Sequence, residues 1–104
     1  MKRKVNGLTA SWQGRHLIRE TRKGCPYEYY PLGKHVVIAP GVCGGRPTFK
    51  GTRVEVQTVL DCLRSGRDLQ DILRSYPSLT RPAIEEAIQL AAHALTDQYA
   101  LQAA

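Results

Sequence analysis

The stretch GGRPTFKGTR, Gly44 to Arg53, brings three glycines, three cationic side chains, one proline and one aromatic ring into ten residues. A loop that cradles nucleotide phosphates reads G-x-x-x-x-G-K-[ST], because backbone N–H groups must converge on phosphate while the lysine reaches forward and the hydroxyl takes a metal ion. Here Gly44 and Gly45 stand seven and six positions before Gly51, and Thr52 and Arg53 follow where the lysine and hydroxyl are needed. The dinucleotide fingerprint G-x-G-x-x-G occurs nowhere in the chain. The stretch therefore reads as architecture. Its glycines permit positive φ, Pro47 fixes φ and removes a donor, and residues 46–54 become a short edge strand or extended loop that launches a helical unit. Phe49 is the expected plug into the core, which leaves Arg46, Lys50 and Arg53 pointing toward solvent or a partner.

Downstream of this loop the apolar period is helical. Val56, Val59, Leu60 and Leu63 follow the i, i+3, i+4, i+7 spacing up to Ser65-Gly66, and Leu69, Ile72, Leu73 and Tyr76 repeat it as far as Pro77. Asp68 is the expected N-cap of that second helix. A third helix runs from Thr80, its N-cap, to Tyr99, with Ile84, Ile88, Ala91, Leu95 and Tyr99 on one face and Leu79 placed to staple against Ile84. Upstream, Leu17 to Thr21, Tyr27 to Tyr30 and Val36 to Ala39 read as short strands punctuated by Lys23-Gly24-Cys25-Pro26 and Pro31-Leu32-Gly33. The expected fold is α+β. A small N-terminal antiparallel β-meander, with residues 1–35 as a basic β-arm, precedes a three-helix helix-turn-helix unit over 36–104.

The chain of 104 residues is long enough for one domain with a modest core. It has no apolar run of the roughly 18 residues that crosses a bilayer and no secretory leader pattern, so a cytoplasmic location is expected. Cys25, Cys43 and Cys62 lack C-x-x-C spacing, and His16, His35 and His93 form no close pair, so no metal ion or other cofactor is expected. Asp68 and Asp71 stand in a first helical turn, where carboxylates serve as caps, and no nucleophile and base lie together; no enzymatic activity is expected. Tyr27, Tyr29 and Tyr30 could stack unpaired bases, but alternation sends at least one of them into a core.

Charge divides the chain. Residues 1–53 carry eleven Lys or Arg against Glu20 and Glu28, a net +9, whereas residues 54–104 carry four against seven carboxylates, a net −3. Such a split points to a basic segment that meets a polyanion or an acidic protein surface. Arg15, Arg19 and Arg22 are the candidate phosphate contacts. On the third helix Arg81, Glu85, Gln89 and His93 share a stripe with the side-chain chemistry to read base edges, although Glu85 and Glu86 repel phosphate. A strand edge and a single half-site both call for a homodimer.

The motif GGRPTFKGTRVEV, followed by VLDCLRSG, DLQDILRSYPSLT and IEEAIQLAAHAL, resembles the family called domain of unknown function 433, whose members share G-[KR]-P-x-[IF]-x-G-T-R-[IV]-x-V and an ILxxYPxLT turn. The likeness covers residues 36 to about 96. It implies a homeodomain-like helix-turn-helix and, for many members, an antitoxin role beside a PIN-like ribonuclease toxin, similar to VapB-type pairs. Such antitoxins cover the nuclease and repress their own operon by binding double-stranded operator DNA. Similar modules also serve as stand-alone transcription regulators or as protein-binding adaptors. In the antitoxin reading Arg46, Lys50 and Arg53 contact the partner, the arginines competing with Mg²⁺ for its carboxylates. The competing role for Arg53 is a brace to the first helix through Glu55 or Asp61.

Overall fold

A computed structural model describes residues 16–99 of the chain, and Arg15, a candidate phosphate contact, lies outside them. Four antiparallel strands, β1 (Ile18–Arg22), β2 (Cys25–Pro31), β3 (Val36–Ile38) and β4 (Pro47–Phe49), form one sheet in the order β1-β2-β3-β4. Three helices follow: α1 (Val56–Arg64), α2 (Leu69–Ser75) and α3 (Arg81–Tyr99). The α+β class is as expected, and the 46–54 segment supplies the fourth strand.

Strand β2 begins two residues before its expected start. Lys23 and Gly24, both at positive φ, close a two-residue hairpin loop between the paired residues Arg22 and Cys25. Antiparallel pairs alternate between hydrogen-bonded and open, and the pair flanking such a loop is bonded. Pro26, opposite Thr21, therefore falls on an open pair and forfeits no bond to β1.

The sheet is buried on both sides at β3. Val36 is 2% exposed and belongs to the main core with Phe49, Val59, Ile72, Leu79, Ala83, Ile84 and Ala87. Its neighbour Val37 is fully buried on the opposite face in a smaller cluster with Tyr29 and Ala39. Three residues thus hold two layers together, because successive side chains of a strand point to opposite faces. Phe49 is the core plug that the sequence leads one to expect. Thr48 beside it is also fully buried, and its Oγ1 has no hydrogen-bond partner among the described residues.

The helix ends carry their expected signals. Asp68 Oδ1 accepts from the Asp71 N–H at 2.9 Å and caps α2. Helix α1 ends with Gly66 N–H donating to the Leu63 carbonyl and Arg67 N–H to the Cys62 carbonyl, the paired bonds of a glycine-closed terminus. Leu79 and Ile84 meet in the core on either side of the α3 N-terminus. The apolar face of α3 is a different matter. Ala83, Ile84 and Ala87 are buried, but Ile88, Leu95 and Tyr99, expected on the same buried face, are 43%, 61% and 71% exposed. The helix runs past the sheet, and the described chain has nothing to cover its second half.

Candidate functional site

The loop between β3 and α1 is built around an ion pair. Cys43, Gly44 and Gly45 all have positive φ, so the chain makes one left-handed turn, closed by Gly45 N–H to Val42 O and Arg46 N–H to Cys43 O. That turn presents Arg46 to Glu55, and the guanidinium grips both carboxylate oxygens, Nε to Oε1 at 2.8 Å and Nη2 to Oε2 at 3.1 Å. Glu55 also bridges to Thr48 and stands at the N-cap of α1, where its side chain makes no capping bond. The pairing lowers the Glu55 carboxyl pKa and raises that of Arg46. The brace to the first helix therefore exists, but Arg46 makes it and not Arg53. Asp61, the other expected partner, bonds to Gln57 and Arg64 within α1.

Lys50 is also engaged. Its ammonium lies 5.1 Å from the centre of the Tyr29 ring and 3.5 Å from Glu20 Oε2, and the Tyr29 hydroxyl donates to the same Glu20 oxygen at 2.7 Å. The hydrogen bond from Tyr29, with the nearby Lys50 and Arg22 charges, holds the Glu20 carboxyl below its ordinary range. Tyr29 first, and Glu20 after it, raise the Lys50 ammonium. This network ties the β1–β2 hairpin to the turn after β4. Two more interactions complete it: Gly51 N–H donates to the Tyr27 hydroxyl at 2.9 Å, and the Arg22 guanidinium stacks 5.1 Å from the Tyr27 ring centre. Gly51 has φ +78°, and a Cβ there would lie 2.9 Å from Arg22 Nη1, so the turn needs glycine twice over. The basic hairpin is accordingly fastened to the rest of the sheet.

Arg53 stands apart. Thr52 uses its hydroxyl on the Phe49 carbonyl and the Val54 N–H, and the Arg53 carbonyl accepts from the Cys43 thiol, but the exposed Arg53 side chain has no partner among the described residues. It lines an open hollow of about 680 Å³ with Arg22, Tyr27, Glu28, Pro40 and Val42. Arg19, a candidate phosphate contact, is exposed on β1 and paired with Glu28 at 2.7 Å. Tyr27 has Arg22 over its ring at 5.1 Å and the tilted Tyr29 ring at 5.1 Å.

On α3, Arg81, Glu85 and Gln89 are all exposed in the first turns, as the stripe requires, with Arg81 Nε 3.3 Å from Glu85 Oε2. Further along that side His93, the last member of the stripe, and Thr96 are exposed as well, and beside them Ile88, Ala92, Leu95 and Tyr99 form an exposed row on the flank of the helix. Glu86 has a role that its place in the sequence does not announce. Its carboxylate accepts from three consecutive N–H groups of the β2–β3 loop, Lys34 at 2.9 Å, His35 at 2.7 Å and Val36 at 2.9 Å. At the edge of the core face, beside Ala83 and Ala87, Glu86 looks like a surface charge in sequence, and only Gly33, which leaves room for it, hints otherwise.

Within the described residues no helix is long and apolar enough to cross a membrane. No curated protein and no solved structure matches the chain. One family model does match, that of a protein of unknown function (DUF433), over residues 36–91, more than half of the 104. The match starts at β3, includes the braced loop, α1 and α2, and ends within α3: the chain belongs to the DUF433 family.

Proposed function

We propose that the protein is the antitoxin of a type II toxin–antitoxin pair: a cytoplasmic homodimer that neutralises a PIN-like ribonuclease toxin and binds operator DNA as autorepressor. The observation that carries this reading is the division of labour in the loop. Arg46 and Lys50 are spent on Glu55 and on Tyr29 with Glu20, which stiffens the segment, while Arg53, without a partner among the described residues, lines an open hollow of mixed polar and apolar character. A pre-ordered arginine costs little entropy to insert among the carboxylates of a metal-dependent nuclease, where its planar fork makes paired bonds. Partner contact thus centres on Arg53, with Arg46 and Lys50 as its supports.

The uncovered row on α3 favours protein contact over base reading along that helix. A base-reading helix presents donors and acceptors, whereas Ile88, Ala92, Leu95 and Tyr99 present apolar surface, the material of a subunit interface. In this reading two chains pair along α3, and the helix-turn-helix of α2 and α3 offers Arg81, Glu85 and Gln89 near its solvent-facing start. Arg15, Arg19 and Arg22 supply the phosphate contacts, so affinity is dominated by the backbone of the duplex.

Co-expression with the product of the adjacent reading frame tests the assignment. A nuclease that co-purifies and loses activity in the complex supports it, as does a gel shift with the protein's own promoter. A neighbour that is not a nuclease, with a promoter shift retained, favours the stand-alone regulator. Absence of both leaves the protein-binding adaptor. Leu95→Ser, by sedimentation, should turn dimers into monomers without unfolding them; an unchanged dimer removes α3 from the interface.

A further inference from the structure

A second hollow, about 360 Å³, lies where four segments of the chain meet: Arg22 from the hairpin, Lys34 and His35 from the β2–β3 loop, Phe49, Lys50 and Thr52 around β4, and Ser78, Thr80 and Ala83 at the entry to α3. Its chemistry differs from that of the larger one. Arg22, Lys34 and Lys50 line it with the hydroxyl residues Ser78, Thr80 and Thr52, and no carboxylate is among the lining residues. The carboxylate paired with its cations is Glu20, which lies 3.4 Å from Arg22 and 3.5 Å from Lys50 and so positions both cations while its single charge offsets only one. Glu86 approaches the same loop, but its oxygens are taken by three backbone N–H groups. Lys34 is exposed, and its side chain has no partner among the described residues.

We propose that this hollow is a phosphate-binding site. Several point charges with the hydroxyl donors of Ser78 and Thr80 around a small concavity suit a tetrahedral oxyanion with three or four acceptor oxygens, whereas a planar carboxylate is better served by a single arginine fork; the Thr52 hydroxyl is already committed to the Phe49 carbonyl. The entry to α3 brings little of its own, because Pro82 has no N–H and the Thr80 hydroxyl faces the Ala83 N–H at 3.4 Å. The recognition is therefore done by side chains from distant parts of the sequence, held by the Glu20–Tyr29–Lys50 network. The phosphate group comes either from a nucleic-acid backbone or from the free ion. As a backbone contact the site rests on the operator-binding reading above, and it places Lys34, Lys50 and Thr80 beside Arg22 on the duplex.

The full-length protein is titrated with inorganic phosphate against chloride at matched ionic strength and followed by amide resonances. In parallel, duplex DNA of its own promoter and of unrelated sequence is bound over a salt series. Lys34→Ala and Lys34→Glu are the variants, since that side chain has no partner among the described residues and circular dichroism should report parent-like folding. Expected are phosphate-dependent shifts at Lys34, His35, Lys50 and Thr80 that Lys34→Glu abolishes. Expected also is weaker binding of Lys34→Ala to both duplexes alike, with the slope of log K against log salt shallower by about 0.9 for every phosphate that is no longer neutralised. Phosphate shifts without DNA binding uphold the site with the free ion as its source and remove the operator reading. DNA binding with unaltered slope and affinity in Lys34→Glu, and no phosphate shifts at the hollow, overturns the site and leaves the operator reading standing. Silence in both titrations overturns the site as well.

Discussion

Removing the Glu86 carboxylate should unfasten α3 from the sheet. In Glu86→Ala three N–H donors lose a charged acceptor at 2.7 to 2.9 Å. Hydrogen bonds to charged groups contribute about 1.5–3 kcal/mol each, but three to one carboxylate do not add, and the exposed Lys34 N–H regains water at little cost. Val36 is a core residue, and its N–H cannot do the same. A net loss of about 2–4 kcal/mol follows. For a domain of this size that lowers Tm by roughly 10–25 °C. Gly33 makes the test sharper. A Cβ at that position would sit 2.6 Å from Glu86 Oε1 and 2.7 Å from Cδ, so Gly33→Ala must displace the carboxylate and break the same bonds. With Glu86 already truncated the space is open, and the alanine should cost almost nothing. Urea denaturation of the parent, both single variants and the double variant gives the coupling, expected at about 1 kcal/mol or more. Additive single losses, or a Glu86→Ala variant within about 0.5 kcal/mol of the parent, would refute the latch.

Gly51→Ala should destabilise by more than about 1 kcal/mol because φ +78° and the Arg22 guanidinium both oppose a Cβ, and removing Arg22 as well should restore only part of the loss, as thermal melts would show. Thr48→Val removes a fully buried hydroxyl that lacks a partner and should raise stability by about 1 kcal/mol in urea; a loss would mean that the hydroxyl is satisfied after all. Arg46→Ala should lower Tm through loss of the Glu55 pair while Arg53→Ala leaves it unchanged, and the reverse order would return the brace to Arg53. Acid should loosen the hairpin and the loop together. The folded-state pKa values of Glu20 and Glu55 are depressed, so their contribution is present above the ordinary carboxylate range and is lost as pH falls through the lowered values. In a Glu20→Gln, Glu55→Gln double variant that part of the acid dependence should vanish from a pH series of melts.

Features that rest on neighbours in the chain are legible in the residues alone. Helix periods, the Asp68 cap, the glycine stop at Gly66 and the positive φ of Gly44 and Gly45 are local, and each is enforced by backbone sterics or by bonds a few residues long, whereas the positive φ of Cys43 is not. The β4 edge strand is legible for the same reason, as is Phe49 in the core. The partners of the charged side chains are set by the folded chain instead. Arg46, Lys50 and Arg53 look alike within ten residues, and whether one is consumed depends on Glu55 at nine positions' distance or on Glu20 at thirty, which no local rule selects. Glu86 reads as a surface carboxylate until the sheet is folded against α3 and sets the 34–36 amides before it, fifty residues away. The exposure of Ile88, Leu95 and Tyr99 belongs to the same class. A helical period reports which residues share a face, but the extent of the sheet beneath α3 decides how much of that face is covered.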